Sequence, residues 1–177
     1  DCTIMSYASI LKGTKMGKGN KIHQNAVLGA EPQDFHYTGE ESSLIIGDNN
    51  DIRENVVISR ATFAGNATRI GNGNYLMDKV HLCHDVQISN NCVVGIGTTI
   101  AGECSLDDCV ILSATVTLRH QSIVTLVAGH LYKADAASPK MFLLRNYVRQ
   151  SCCLSWSECS RSVTASQYVG KNPSSYC

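Results

Sequence analysis

Residues 76–112 read LMDKVHLCHDVQISNNCVVGIGTTIAGECSLDDCVIL, and every sixth residue of that run is aliphatic: Leu76, Leu82, Ile88, Val94, Ile100, Leu106 and Leu112. A period of six is neither the 3.6 of an amphipathic helix nor the 2 of an alternating strand, but as a multiple of two it accommodates very short strands joined by turns. The residue two places before each aliphatic one is small or β-branched, as at Val80, Val86, Cys92, Thr98, Cys104 and Val110, which predicts a second inward-facing column. Two inward columns per hexad describe an all-β fold, a parallel β-helix. If three hexads make one triangular coil, residues 18 apart stack roughly 4.8 Å above one another. Leu82, Ile100 and Leu118 then share a column, and His84 lies beneath Gly102.

The phase holds outward from this run. Ile4, Ile10, Met16, Ile22 and Leu28 come first, then Ile46, Ile52 and Ile58; after small Ala64 the series resumes at Ile70, and Leu118 and Val124 follow Leu112. Glycine or asparagine often follows the aliphatic residue, as at Gly17, Gly29, Gly47 and Gly71, which suits corners that need positive φ. Between Ala30 and Leu44 the series breaks, with Asp34 and Glu40 where core residues are due. An excursion loop over 30–45 is expected, and long polar loops in compact domains tend to carry function. After about Ser113 the pattern decays, with His130 and Ala136 at the repeat position. The expected organisation is a β-helix over 1–125 and an irregular Ser/Cys-rich tail over 126–177.

The chain has 177 residues, the size of one ordinary domain. Lys plus Arg (15) balance Asp plus Glu (15), so no global basic field recruits nucleic acid or an anionic membrane. Hydrophobic residues at 44% can supply a core, which argues against disorder throughout. No apolar run reaches the roughly 18 residues of a membrane span, and the start, DCTIMSYASI, lacks the order of a signal peptide, so a cytoplasmic protein is expected. The absence of an initial Met suggests a fragment. Nine Cys contain no CxxC pair, which excludes a zinc ribbon or a redox CxxC, and Cys92 and Cys104 read as small buried residues.

The chemically densest stretch holds His81, His84 and Asp85. Two His three residues apart have three readings: metal ligands, solvent-facing His without a role, or a general base with an adjacent carboxylate that holds its tautomer.

Three segments carry a family resemblance: GAEPQDFHYTGE (29–40), IGDNNDIRENVVISRAT (46–62), and VHLCHD (80–85) followed by IAGECSLDD (100–108). Through them residues 1–113 resemble the UDP-N-acetylglucosamine O-acyltransferases of lipid A biosynthesis, hexapeptide-repeat enzymes. The resemblance implies a left-handed parallel β-helix, a cytoplasmic homotrimer with sites between subunits, no cofactor, and transfer of a (3R)-hydroxyacyl group from acyl carrier protein to the sugar 3-hydroxyl of UDP-N-acetylglucosamine. It implies that His84 is the general base, that Asp85 orients it, and that the Gly102 N–H stabilises the oxyanion. Gln33, Asp34, His81, His120 and Gln121 are implied to contact the sugar nucleotide. Duller roles stand beside these: Gln33 and Asp34 closing their own loop, and Gly102 as a plain corner glycine. Glu103 stands where many relatives have His, His36 replaces a frequent Lys, and His120–Gln121 falls one place late.

The alternatives are the N-acyltransferase of the same pathway, a zinc enzyme like the γ-type carbonic anhydrases, and a catalytically dead hexapeptide scaffold. Read one base along, Lys133 to Ser138 can encode a Lys-x-Met-Pro-Pro similar to the family's motif near the end of its β-helix, so the tail is expected to be frame-shifted.

Overall fold

The computed structural model of the chain describes residues 1–125. Their strands form a left-handed parallel β-helix of three sheets, each built by taking every third strand along the chain. The first sheet stacks β1 (Thr3–Ile4), β4 (Lys21–Ile22), β7 (Asp51–Ile52), β10 (Tyr75–Leu76), β13 (Val93–Val94) and β16 (Ile111–Leu112). The second stacks β2 (Ser9–Ile10), β5 (Val27–Ala30), β8 (Val57–Ser59), β11 (His81–Leu82), β14 (Thr99–Ile100) and β17 (Thr117–Leu118). The third stacks β3 (Thr14–Met16), β6 (Ser43–Ile46), β9 (Ala67–Ile70), β12 (Gln87–Ile88), β15 (Ser105–Leu106) and β18 (Ile123–Val124). The coil therefore continues past Ser113, through β17 and β18. The expectation of an irregular, frame-shifted tail over 126–177 lies outside the described residues.

Both predicted columns face inward. Leu28, Ile52, Ile58, Leu76, Leu82 and Ile100 are fully buried, and so are Val80, Val86, Cys92, Thr98 and Cys104 in the second column. Each fully buried aliphatic side chain contributes roughly 1.5–3 kcal/mol. A buried asparagine ladder adds directional bonds along one corner. Asn50 donates to Asn20 Oδ1 from its backbone N (2.9 Å) and its Nδ2 (3.0 Å), Asn74 N donates to Asn50 Oδ1 (2.8 Å), and Cys92 N donates to Asn74 Oδ1 (2.8 Å).

The corner rule differs from the sequence expectation. Gly17, Gly47 and Gly71 do not have positive φ; a Cβ on any of them would strike the neighbouring coil, so they are small for close packing. Gly29 does have positive φ (81°). The regular left-handed corner instead falls three residues after the aliphatic one wherever no excursion leaves, from Asn25 (59°) and Asn49 (56°) to Asp85 (58°), Glu103 (58°) and Gln121 (60°). Asn and Asp tolerate this region best among residues with a side chain.

The 18-residue stacking holds in the first coil, as Thr3↔Lys21, and again from β9 onward, as Tyr75↔Val93 and His81↔Thr99. Pairs that span an insertion are spaced more widely, as Val27↔Val57 and Val57↔His81. The cause is two insertions, each a whole multiple of six, so the hexad phase survives both. One leaves the coil between β5 and β6, where strands claim Ala30 and Ser43–Ile46 and leave 31–42 as the excursion. The other lies between β8 and β9, and Ala64, due in the core, is exposed there. Both emerge at the corner joining the second sheet to the third, in successive coils.

Candidate functional site

That same corner, followed down the helix, carries His84–Asp85 between β11 and β12, Gly102–Glu103 between β14 and β15, and His120–Gln121 between β17 and β18. An open cleft of about 340 Å³ lies along it. The first insertion lines the cleft with Gln33, Asp34, Phe35 and His36, and the second with Phe63; the corners below add His84, Glu103 and His120.

His84 is buried, and a carboxylate faces each of its ring nitrogens. Nδ1 lies 3.1 Å from Asp85 Oδ2, and Nε2 lies 3.6 Å from Asp34 Oδ2. The first is a hydrogen bond; the second is too long for one and leaves a gap. An oxygen on the cleft side, about 2.8 Å from both atoms, can bridge them, because a triangle with two such sides closes over 3.6 Å. Asp85 is held in turn: its Oδ2 accepts from Thr62 N (2.9 Å), its backbone N donates to Thr68 Oγ1 (2.9 Å), and its left-handed backbone turns the carboxylate back onto the ring.

Asp34 accepts from the His36 backbone N (2.9 Å) and lies 2.9 Å from His36 Nδ1. Thr62 Oγ1 donates to its other oxygen (3.3 Å). The His36 backbone N–H, then its ring, and then the charge of His84 hold the Asp34 carboxyl below its ordinary value of 3.8. Asp34 therefore closes its own loop and also faces His84.

Gly102 is a glycine for want of space. Its φ is not positive, so it is not the turning residue of its corner, and a Cβ there would collide with the His84 ring. Among the described residues its N–H meets no acceptor, whereas its carbonyl accepts from Gln121 N (3.0 Å). His120 falls in register beneath His84 and Gly102, so its late position in sequence does not remove it from the site. Glu103, in place of a frequent His, accepts from Gln121 Nε2 (2.7 Å) and lies 3.8 Å from His120 Nε2.

His81 is a predicted site residue that lies outside the cleft of the single chain. It lies on β11, and burial pushes its pKa below 6.5. Thr62, Phe63 and Arg60 enter the site without having been singled out from the sequence. The signal for them is the 12-residue step from Ile58 to Ile70 with only Ala64 between, which marks a second excursion. Among the described residues no group of three His, Cys, Asp or Glu side chains is arranged to hold a metal ion, and no helix is long and apolar enough to cross a membrane.

No family model matches the chain. The chain is 47% identical over 109 residues to the acyl-[acyl-carrier-protein]–UDP-N-acetylglucosamine O-acyltransferase of Nautilia profundicola, covering 61% of this chain and 42% of the relative. Among solved structures it is similar to a UDP-N-acetylglucosamine acyltransferase from Bacteroides fragilis, with 44% identity and a TM-score of 0.63, over 70% of this chain and 53% of that one. The UDP-N-acetylglucosamine acyltransferase of Francisella novicida superposes with a TM-score of 0.56 at 27% identity, over 70% of this chain and 60% of that one. The chain thus spans about half the length of the relatives it matches.

Proposed function

We propose that this chain carries the reacting groups of an acyltransferase that moves a (3R)-hydroxyacyl group from acyl carrier protein to the sugar 3-hydroxyl of UDP-N-acetylglucosamine. The observation that carries the reading is the setting of His84: one nitrogen on Asp85, the other facing a gap beside Asp34, and Gly102 against the ring. The similarity to acyltransferases named for this substrate supports it.

In this reading the sugar hydroxyl enters the gap between His84 Nε2 and Asp34. Asp85 holds Nδ1 as the N–H tautomer, which leaves Nε2 free to accept the hydroxyl proton. The oxygen attacks the thioester carbonyl of the acyl carrier, and the Gly102 N–H stabilises the resulting oxyanion. Collapse breaks the carbon–sulfur bond, and the leaving thiolate takes the proton from His84. Gln33, His120 and Gln121 hold the sugar nucleotide. The acting form is a cytoplasmic homotrimer that needs no metal or organic cofactor.

The test is transfer from (3R)-hydroxyacyl carrier protein to UDP-N-acetylglucosamine by the purified chain, compared with His84→Ala. Removal of a general base costs about 10²–10⁴ in rate. A His84→Ala variant within a few-fold of the parent would sink the assignment, and absence of transfer by the parent would favour an inactive scaffold.

A further inference from the structure

The N-terminal arm of the 31–42 excursion brings Gln33 and Asp34 to the cleft, and one side chain of the second excursion lies beneath it. The Arg60 side chain is 13% exposed. One of its nitrogens donates to the Gly29 carbonyl (3.1 Å), at the foot of the arm. Its other terminal nitrogen donates to Glu31 Oε1 (3.2 Å) and to the Tyr37 hydroxyl, on either side of Asp34. The guanidinium also lies 5.5 Å from the centroid of the Tyr37 ring. The Arg60 backbone N donates to Ala30 O (2.9 Å), so main chain and side chain grip the same arm. The bonds inside the loop, from His36 to Asp34 and from Thr38 to Glu40, shape it without attaching it to the coil.

We propose that Arg60 is a positioning residue that fastens the 31–37 arm to the coil and so holds Asp34 across the gap from His84. This deepens the acyltransferase reading and rests on it for its kinetic consequences, but not for the bracing itself. A guanidinium suits the task because its planar fork serves the Gly29, Glu31 and Tyr37 acceptors while its face meets an aromatic ring, and an ammonium cannot do both. Thr62, two residues on, gives Asp34 only one bond at 3.3 Å, so placement of the carboxylate depends on the arm being held from below.

The experiment pairs hydrogen exchange with a double-variant cycle on the purified chain. In Arg60→Ala, peptides within 31–42 should exchange at least about tenfold faster while peptides covering β11 and β14 are unchanged. Arg60→Lys should be intermediate, and it is read in place of Arg60→Ala if the latter also exposes those strands. In acyl transfer, Arg60→Ala should lower kcat/KM about 10²-fold, as expected of a misplaced reacting group. Added to Asp34→Asn, it should cost almost nothing further in kcat, because the arm then has no Asp34 carboxylate to place, while Gln33 on the same arm acts on KM. Unchanged loop exchange in both variants overturns the bracing, and additive losses of kcat in the double variant overturn the link to Asp34. Faster loop exchange in a chain whose parent transfers no acyl group leaves the bracing standing and removes the acyltransferase reading instead.

Discussion

The rings of His84 and His120, 36 residues apart in sequence, face each other with centroids 5.9 Å apart and planes tilted by 48°. Gly102 lies between them in the same corner column, and its missing side chain makes the approach possible.

Gly102→Ala tests that geometry directly. The backbone there is not left-handed, so alanine is tolerated by the main chain, but its methyl collides with the His84 ring. We expect the ring to shift off Asp85 and acyl transfer to fall by about 10²-fold, with the coil still folded. Circular dichroism and kcat on the same preparation check it. An active Gly102→Ala would show that the ring has room to spare.

Thr62→Val removes the hydroxyl bond to Asp34 and keeps the backbone bond to Asp85. A single neutral hydrogen bond contributes about 0.5–1.5 kcal/mol, so kcat/KM should drop about tenfold or less. A loss as large as that of His84→Ala would mean that Thr62 does more than hold Asp34.

The loop bonds favour the charged form of Asp34 and depress its pKa in the folded protein, so they stabilise the loop above the ordinary Asp value of 3.8. That contribution is lost as pH falls through the depressed folded value. Hydrogen exchange of 31–42 should therefore keep its protection from pH 8 down to about pH 4, after correction for intrinsic rates. A protection that vanished between pH 6 and 5 would point to a histidine instead.

Cys92 is fully buried, and burial raises its thiol from 9.0 to about 11; burial also raises Cys104. At pH 8 only roughly 10⁻³ of Cys92 is thiolate. Alkylation followed by peptide mass spectrometry should label exposed Cys2 within minutes and leave Cys92 and Cys104 unlabelled until the protein is unfolded. Because the folded state favours the neutral thiol, this contribution to stability is present below 9.0 and is lost as pH rises toward 11. The melting temperature should decline above about pH 9.

Asn50→Ala interrupts the buried ladder. It leaves the Asn74 N–H and the Gly71 carbonyl without the side-chain partners they now have. An unsatisfied buried group costs about 1–3 kcal/mol, and urea denaturation should show a loss of that order or more. A neutral variant would mean that water replaces the amide.

The sequence by itself determined the repeat. A six-residue period of aliphatic residues with small partners two places earlier is a local pattern, and outside the two excursions the chain from Ile4 to Val124 obeys it because each hexad must place the same two side chains inward. It also marked His84, Asp85, Gly102, Gln33 and Asp34 through family resemblance. It could not show which residue turns each corner, since the left-handed place is taken as readily by Lys79 or Glu103 as by Asn25. Nor could it show where the excursions emerge. Insertions that are whole multiples of six leave the phase untouched, so counting along the chain gives no sign that 31–42 and 60–66 leave by the same corner. That alignment belongs to the closed coil, whose stacking brings Asp34, Thr62, His84 and His120 together and leaves His81 outside the cleft.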